Sequence, residues 1–285
     1  MELKYSGNVK LTSTHNEREF LIDARFLPNN TQKPIILFVH GFKGFKDWGA
    51  FNMMADYFAN AGFVFVKMNF SHNGTTVDQP YDFADLEAFG NNNFSIEQDD
   101  IQLVLDRLIA SKLLDVTEAD FESIQIIGHS RGGAASILTA SQDKRIGKIA
   151  TLAALNDLSS RYSEEVMTEW KKKGVYHIHN GRTKQEMPLY YQIVEDYLKN
   201  EDRLNVKQAI VNMEKPFLAI HGTEDETLPI AMLHEIKSWN SEVKTIAMNG
   251  ANHTFGSTHP YASDELPRDM KMAIDHIIQF FKQGR

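Results

Sequence analysis

The chain of 285 residues carries 30 Lys and Arg against 38 Asp and Glu, a net charge of −8, with 42% hydrophobic residues and no cysteine. A chain of this length buries one sizeable core, and the missing cysteine excludes disulfides, thiolate nucleophiles and cysteine-held zinc. The acidic balance argues against nucleic acid as a partner. No signal-type apolar run occurs over Met1–Ser6 and no segment reaches the roughly 18 apolar residues needed to cross a bilayer, so a cytoplasmic protein with no membrane partner is expected.

Taken in chain order, Leu3–Ser13 and Glu19–Leu27 read as two strands, followed by a turn at Pro28-Asn29-Asn30. Their short connection predicts antiparallel pairing at a sheet edge. The pattern then changes to short continuous apolar runs, expected for strands buried on both faces: Ile35–Val39, Phe63–Val66, Ile124–Ile127, Ile149–Leu152, Phe217–Ile220 and Val243–Met248. Helical patterns separate them. Trp48–Asn60, Arg131–Ala140, Pro229–Trp239 and Asp264–Phe281 are expected helices, and another opens at Ser95, where Ser95 and Gln98 fit a capping box. That helix continues with Ile101, Val104, Leu105 and Leu108 along one face. Alternation of this kind predicts an α/β fold with a mostly parallel eight-stranded sheet and helices on both faces. About sixty residues between Leu155 and Pro216 contain no strand-like run; a structureless loop of that length is implausible, so a helical cap inserted at about 157–212 of a single domain, 1–285, is expected.

The chemistry begins at Gly128-His129-Ser130-Arg131-Gly132, which fits G-x-S-x-G. A predicted strand ends immediately before it and a predicted helix starts immediately after it, as a nucleophile elbow requires. The flanking glycines let the backbone turn sharply and leave the Ser130 hydroxyl exposed; the plainer reading is a Gly-rich turn whose serine only caps the helix. A serine needs a neighbouring base to act near neutral pH. Of 11 histidines, His253 follows the last predicted strand in a Gly- and Asn-containing loop at the same sheet edge as Ser130. His40 and His221 end buried strands and suit turn or pocket-wall positions, whereas His129 lies inside the elbow. His177 and His179 have metal-like spacing without an accompanying carboxylate cluster, so no metal is expected.

A carboxylate must orient the base. Glu224, Asp225 and Glu226 follow the penultimate strand, and composition alone does not separate them. Asp225 is the best placed, because Gly222 makes the turn and Pro229 starts the next helix, while Glu224 and Glu226 suit solvent or the helix start. The order Ser130, Asp225, His253 is that of α/β-hydrolases. The N–H of Arg131, following the serine at a helix start, and that of Phe42, in the Gly-rich loop His40–Phe45, are candidates for an oxyanion hole.

At these residues the chain resembles the α/β-hydrolase superfamily, and within it the dienelactone-hydrolase-like and cinnamoyl-esterase-like serine hydrolases. The resemblance covers nearly the whole chain through His40-Gly41-Phe42, the loop Asn69–Gly74, Gly128–Gly133, Gly222–Asp225 and Gly250–His253. It implies Ser130 as nucleophile, His253 as base, Asp225 as acid and the Phe42 and Arg131 amides as oxyanion hole. It also implies a lid at the insertion and a small-molecule ester substrate with no cofactor. Dienelactone hydrolases proper use cysteine, and its absence here points to the serine-esterase side. Phe45, Phe70, His72 and Tyr190 are candidate substrate contacts, as are Phe42, Trp48, Tyr191, Asn69 and Asn73, although most such aromatics are simply core. Two other functions fit the same motifs: a prolyl-oligopeptidase-like serine peptidase with Glu164 or Glu165 as anchors, and a hydrolase fold kept as a non-catalytic ligand binder.

Overall fold

Each continuous apolar run becomes a strand whose alternate side chains enter two separate cores. The computed structural model describes residues 2–110, 113–159 and 162–283. The first half contains β1 (Lys4–Thr12), β2 (Glu19–Phe26), β3 (Lys33–Val39), α1 (Phe51–Asn60), β4 (Val64–Met68), α2 (Leu86–Gly90), α3 (Phe94–Ala110), β5 (Ala119–His129) and α4 (Arg131–Gln142). The second half continues with β6 (Ile146–Leu152), α5 (Glu164–Lys173), β7 (Val175–His179), β8 (Glu186–Tyr190), α6 (Gln192–Lys199), α7 (Val206–Val211), β9 (Phe217–Gly222), α8 (Ala231–Trp239), β10 (Lys244–Met248) and α9 (Arg268–Lys282).

Eight strands form one sheet in the order β1-β2-β4-β3-β5-β6-β9-β10. β1 pairs antiparallel with β2, and β2 antiparallel with β4, so the expected edge hairpin is present; the other neighbours are parallel. On β3, Ile35, Leu37 and Val39 enter one core and Ile36 and Phe38 the other, the two-residue period of a strand covered on both faces. The first core is closed by α3, α4, α7 and α8, through residues such as Ile101, Ile137, Ile210 and Leu233. The second is closed by α1 and α9, through Phe51, Phe58, Ile274 and Phe281. No helix among the described residues is long and apolar enough to cross a membrane.

Topology fixes where a ligand can enter. From β3 the chain goes to β4 on one side, then passes over to β5 on the other. The loops after β3 and β5 therefore diverge at the carboxyl ends of adjacent strands and leave a crevice.

Two expectations change in detail. The segment 157–212 is not wholly helical: β7 and β8 form an antiparallel hairpin between α5 and α6, with Val175 opposite Tyr190 and His179 opposite Glu186. Pro188 and the charged turn between the strands hid the alternation. Within this segment Ser160 and Arg161 lie outside the described residues. The α3 helix begins at Phe94, and Asn93 rather than Ser95 accepts the N–H of Ile96, at 2.9 Å. The Ser95 N–H instead donates to Asp196, which ties α3 to α6.

A fully buried charge cluster fixes the loop after β3. Lys46 donates to Asp23 on β2 and to its neighbour Asp47, each at 2.5 Å, and Lys67 on β4 donates to Asp47 and Asn52. Two cations and two anions thus balance between the loop and the sheet. Removing one partner strands an uncompensated charge among buried groups. We therefore expect Lys46→Met to lose about 3–5 kcal/mol of stability in urea denaturation, and the charge-balanced double variant Lys46→Met/Asp23→Leu to recover much of that loss.

Candidate active site

Four strand ends bring the candidate residues together: β3 leads to Gly41 and Phe42, β5 to Ser130, β9 to Asp225, and β10 to His253. Ser130 has φ 56 and ψ −122, a conformation that side-chain-bearing residues rarely adopt. Its backbone is held on both sides, since its N–H donates to the Leu152 carbonyl at 2.9 Å and its carbonyl accepts from Gly133 at 2.9 Å and Leu155 at 3.1 Å. The glycines of the motif answer to close packing. A Cβ on Gly132 would lie 2.3 Å from the His40 carbonyl oxygen and 2.4 Å from that of Val39, and one on Gly128 would lie 2.2 Å from the Gly132 carbonyl oxygen. Because α4 can press this closely on β3, the loop after β3 lies against the serine: a Cβ on Gly41 would fall 2.8 Å from the Ser130 Cβ.

His253 bridges the other two side chains, with Nε2 at 3.0 Å from Ser130 Oγ and Nδ1 at 2.7 Å from Asp225 Oδ2. An ionised carboxylate only accepts, so Nδ1 carries the proton and Nε2 is free to accept from the serine hydroxyl. The Asp225 side chain is 0% exposed, whereas Glu224 and Glu226 face solvent. Burial pushes the Asp225 carboxyl up, but the backbone N–H of Leu228, the His253 imidazole and the N–H of Thr227 outweigh it and hold the group below the usual carboxylate range. His221 supplies a further contact, with Nε2 3.1 Å from Asp225 Oδ2 and 3.0 Å from the Leu228 carbonyl. His129 Nε2 donates to the His253 carbonyl at 2.9 Å, and burial together with the nearby His253 pushes its pKa down to about 3, so it stays neutral. A hydroxyl, an imidazole in this tautomer and a buried carboxylate in series can deliver a serine oxygen to an electrophile while storing its proton.

Arg131 links the two oxyanion-hole candidates through its side chain. Its guanidinium pairs with Glu97 and sits 4.5 Å from the centroid of the Phe42 ring and 5.4 Å from that of Phe94. The Phe42 loop is thereby clamped to the start of α4.

Two cavities meet at Ser130 and His253. The larger, about 560 Å³, is walled mainly by apolar side chains, among them Leu155 and Leu158 after β6 and Trp170, Ile178, Leu189 and Ile193 from the 157–212 segment. The smaller, about 250 Å³, lies on the other side of Phe42 and includes Trp48, Asn180, Arg182 and His259. Of the aromatic candidates, Phe42 and Trp48 line these cavities. The four suggested substrate contacts do not. Phe45 is fully buried with its ring against Phe83 and His259. Phe70 is buried with its ring against His40, and His72 is buried beside Ser71. Tyr190 packs over Gly90 and donates to Glu87. Phe45 packs in the apolar cluster that Trp170, Met187 and Leu189 of the 157–212 segment join, Phe70 belongs to the sheet core, and Tyr190 is half-buried on the segment itself. Tyr191 packs against Trp170 behind the cavity wall.

Asn69 and Asn73 brace the loop after β3 instead: Asn69 accepts the Lys46 N–H at 2.7 Å, and Asn73 reaches the Gly44 carbonyl at 3.3 Å. Glu164 and Glu165 are exposed in the first turn of α5. His179 pairs with Glu186 on the hairpin surface, and no cluster of three or more metal-ligating side chains occurs among the described residues. The residues that sequence reasoning missed are the cavity walls Phe94, Leu155, Leu158, Tyr162, Trp170 and Arg182. Trp170, an apolar residue amid Glu169 and Lys171–Lys173, was their one visible signal, since such a helix has a single buried face.

A model of the Esterase family, described as "Putative esterase", matches residues 13–263. Among solved structures, the chain is similar to Est1E from Butyrivibrio proteoclasticus with ferulic acid bound, at 16% identity and a TM-score of 0.69 over 95% of this chain and 97% of that one. It is similar to the esterase domain of a Rhodothermus marinus protein, at 16% identity and a TM-score of 0.63 over 98% of both chains. The α/β hydrolase GrgF from Penicillium sp. sh18 superposes with a TM-score of 0.70 at 12% identity, covering 99% of this chain and 98% of that one. No curated protein sequence matches the chain.

The packing at the elbow makes a direct prediction. Gly132→Ala forces either α4 or the end of β3 to move, at a cost of about 1–3 kcal/mol or more. A lowered urea midpoint is the expected outcome, whereas wild-type stability would mean that the contact is not tight.

Proposed function

The chain belongs to the Esterase family, within the α/β-hydrolase superfamily, and on that premise we propose that it is a serine carboxylesterase working through an acyl-enzyme. The observation that carries this reading is the continuous contact from Asp225 through His253 to Ser130, with 2.7 Å and 3.0 Å at its two links. Ser130 Oγ attacks the ester carbonyl as His253 Nε2 takes its proton. The tetrahedral oxyanion is received by the backbone N–H groups of Phe42 and Arg131. Collapse breaks the bond to the leaving oxygen, which takes the proton from His253 and departs as the alcohol. Water, deprotonated by the same imidazole, then attacks the acyl-enzyme, and the acid leaves as Ser130 recovers its proton. Asp225 stays ionised throughout, fixes the tautomer and stabilises the imidazolium.

We read the chain as one domain in which residues 157–212 act as a cap. Support comes from the cavity walls, because Trp170, Ile178, Leu189, Ile193 and Val194 face Ser130 across the larger cavity. A volume of about 560 Å³ suits a medium-length acyl chain or an aromatic acid better than acetate. The peptidase reading gains nothing from Glu164 and Glu165, which lie away from both cavities.

Steady-state hydrolysis of chromogenic esters from acetate to dodecanoate, with a feruloyl ester and an aminoacyl anilide, tests the proposal. Expected are ester turnover lost in Ser130→Ala, an optimum longer than acetate, and negligible anilide cleavage. Ester turnover surviving in Ser130→Ala would overturn the assignment, and comparable anilide cleavage would make the protein a peptidase. Asp225→Asn should lower kcat by ~10⁴-fold through the wrong histidine tautomer; the same loss in Glu224→Gln with Asp225→Asn active would shift the acid.

A further inference from the structure

The two cavities that meet at Ser130 differ in chemistry as well as size. The larger one is walled mainly by aliphatic and aromatic side chains. The smaller one has two cations in its lining, Lys43 and Arg182, and no Asp or Glu. That composition runs against the chain as a whole, in which acids outnumber bases 38 to 30. Two cations facing one small cavity beside the reacting serine, with Asp82 reaching only Arg182 and from outside the lining, attract negative charge to that cavity.

The cavity is also built, with its polar groups fixed by the backbone. His259 Nδ1 accepts the Gly49 N–H at 2.9 Å, so in the neutral ring the proton sits on Nε2 and that edge is a donor. Its ring stacks along Trp48 and meets Phe45 edge-on, at 5.9 Å and 5.0 Å between centroids. Asn180 Oδ1 accepts the N–H of Arg182 at 3.1 Å, which shapes the turn between β7 and β8 that presents the guanidinium. One Arg182 nitrogen reaches Asp82 at a long 3.3 Å; the guanidinium fork has five N–H donors in all. Lys43 stands next to Phe42 and lines both cavities.

We propose that the smaller cavity is an oxyanion subsite: one arm of the substrate ester is apolar and fills the larger cavity, and the other arm carries a carboxylate or phosphate held by Lys43 and Arg182. The inference rests on Ser130 as the reacting centre, because only then do the two cavities receive the two substituents of one scissile carbonyl. Charge-assisted hydrogen bonds to a planar guanidinium give such a site selectivity that an apolar pocket lacks.

Binding to Ser130→Ala, measured by titration calorimetry, tests the subsite without relying on turnover. Octanoyl glycolate is compared with neutral octanoyl glycolamide, which places the charge on the alcohol side. Octyl hemisuccinate against octyl succinamate places it on the acyl side, and 2-phosphooxyethyl octanoate supplies the phosphate arm. At least one anion should bind about tenfold tighter than its amide counterpart. That advantage should shrink when Arg182→Gln or Lys43→Gln is added, and with rising salt. Anions binding no tighter than the amides in either orientation would overturn the subsite, and so would a preference unaffected by both substitutions. Hydrolysis of the same compounds by the wild type separates the two claims. Ser130-dependent turnover without charge preference leaves the esterase reading and removes the subsite, whereas charge-selective binding without turnover of any ester does the reverse.

Discussion

The first turn of α4 rests directly on the carbonyl end of β3, and the rest of the site follows from that contact. It exists because residue 132 has no side chain: a Cβ there would lie 2.3 Å from the His40 carbonyl oxygen. With the helix pressed down, Ser130 is turned into a conformation at φ 56 that its own energetics oppose. Hydrogen bonds to the Leu152 carbonyl and from Leu155 hold it there. The same approach brings Gly41 against Ser130, so the backbone of the loop after β3 and the start of α4 converge beside one hydroxyl. Neither loop needs to move to create that convergence.

Around this contact, charge and polarity are arranged in layers. The buried Asp23, Lys46, Asp47 and Lys67 tie the loop after β3 to the sheet from below. Arg131 ties it to α4 from above, with its guanidinium between Phe42 and Phe94 and a carboxylate partner in Glu97. On the opposite side, Asp225 is held by two backbone N–H groups and by His221, and the backbone of His253 by His129. Low polarity keeps His129 neutral, with a pKa near 3, and His40 likewise near 4. Histidines therefore do two kinds of work here: His253 links the serine to the acid, while His129 and His221 act as fixed donors that position their neighbours.

Much of this was legible in the sequence. Ile35–Val39 and Ile124–Ile127 read as buried strands because apolar side chains are needed on both faces, and Gly128–Gly132 stood out because close packing leaves no room for a side chain at Gly128 and Gly132. The order of Ser130, Asp225 and His253 pointed to the fold, and the structure brings these three side chains into contact. Other features depended on distant partners. Asn93 rather than Ser95 accepts the Ile96 N–H, and the Ser95 N–H goes to Asp196 about a hundred residues away, a partner that no local pattern marks. The β7–β8 hairpin carries Pro188 and exposed charges, so its strand character comes from pairing rather than from pattern. Phe45, Phe70, His72 and Tyr190 were legible as aromatic or polar residues near strand ends, but whether such residues line a cavity is decided by packing partners distant in sequence, as Phe45 packs with Trp170 and Met187 and Phe70 packs against His40. The 157–212 segment also supplies cavity walls such as Leu189 and Ile193, which no local motif marks.

The central claim is that Ser130 becomes covalently acylated during turnover. Rapid acid quench of the wild type mixed with excess octanoyl ester, followed by intact-mass and peptide analysis, tests it most directly. The account predicts a single octanoyl adduct on the peptide containing Ser130, formed before the steady-state release of octanoic acid and absent from Ser130→Ala. Turnover with no adduct on a quench time scale faster than product release, or an adduct on any other residue, would contradict it.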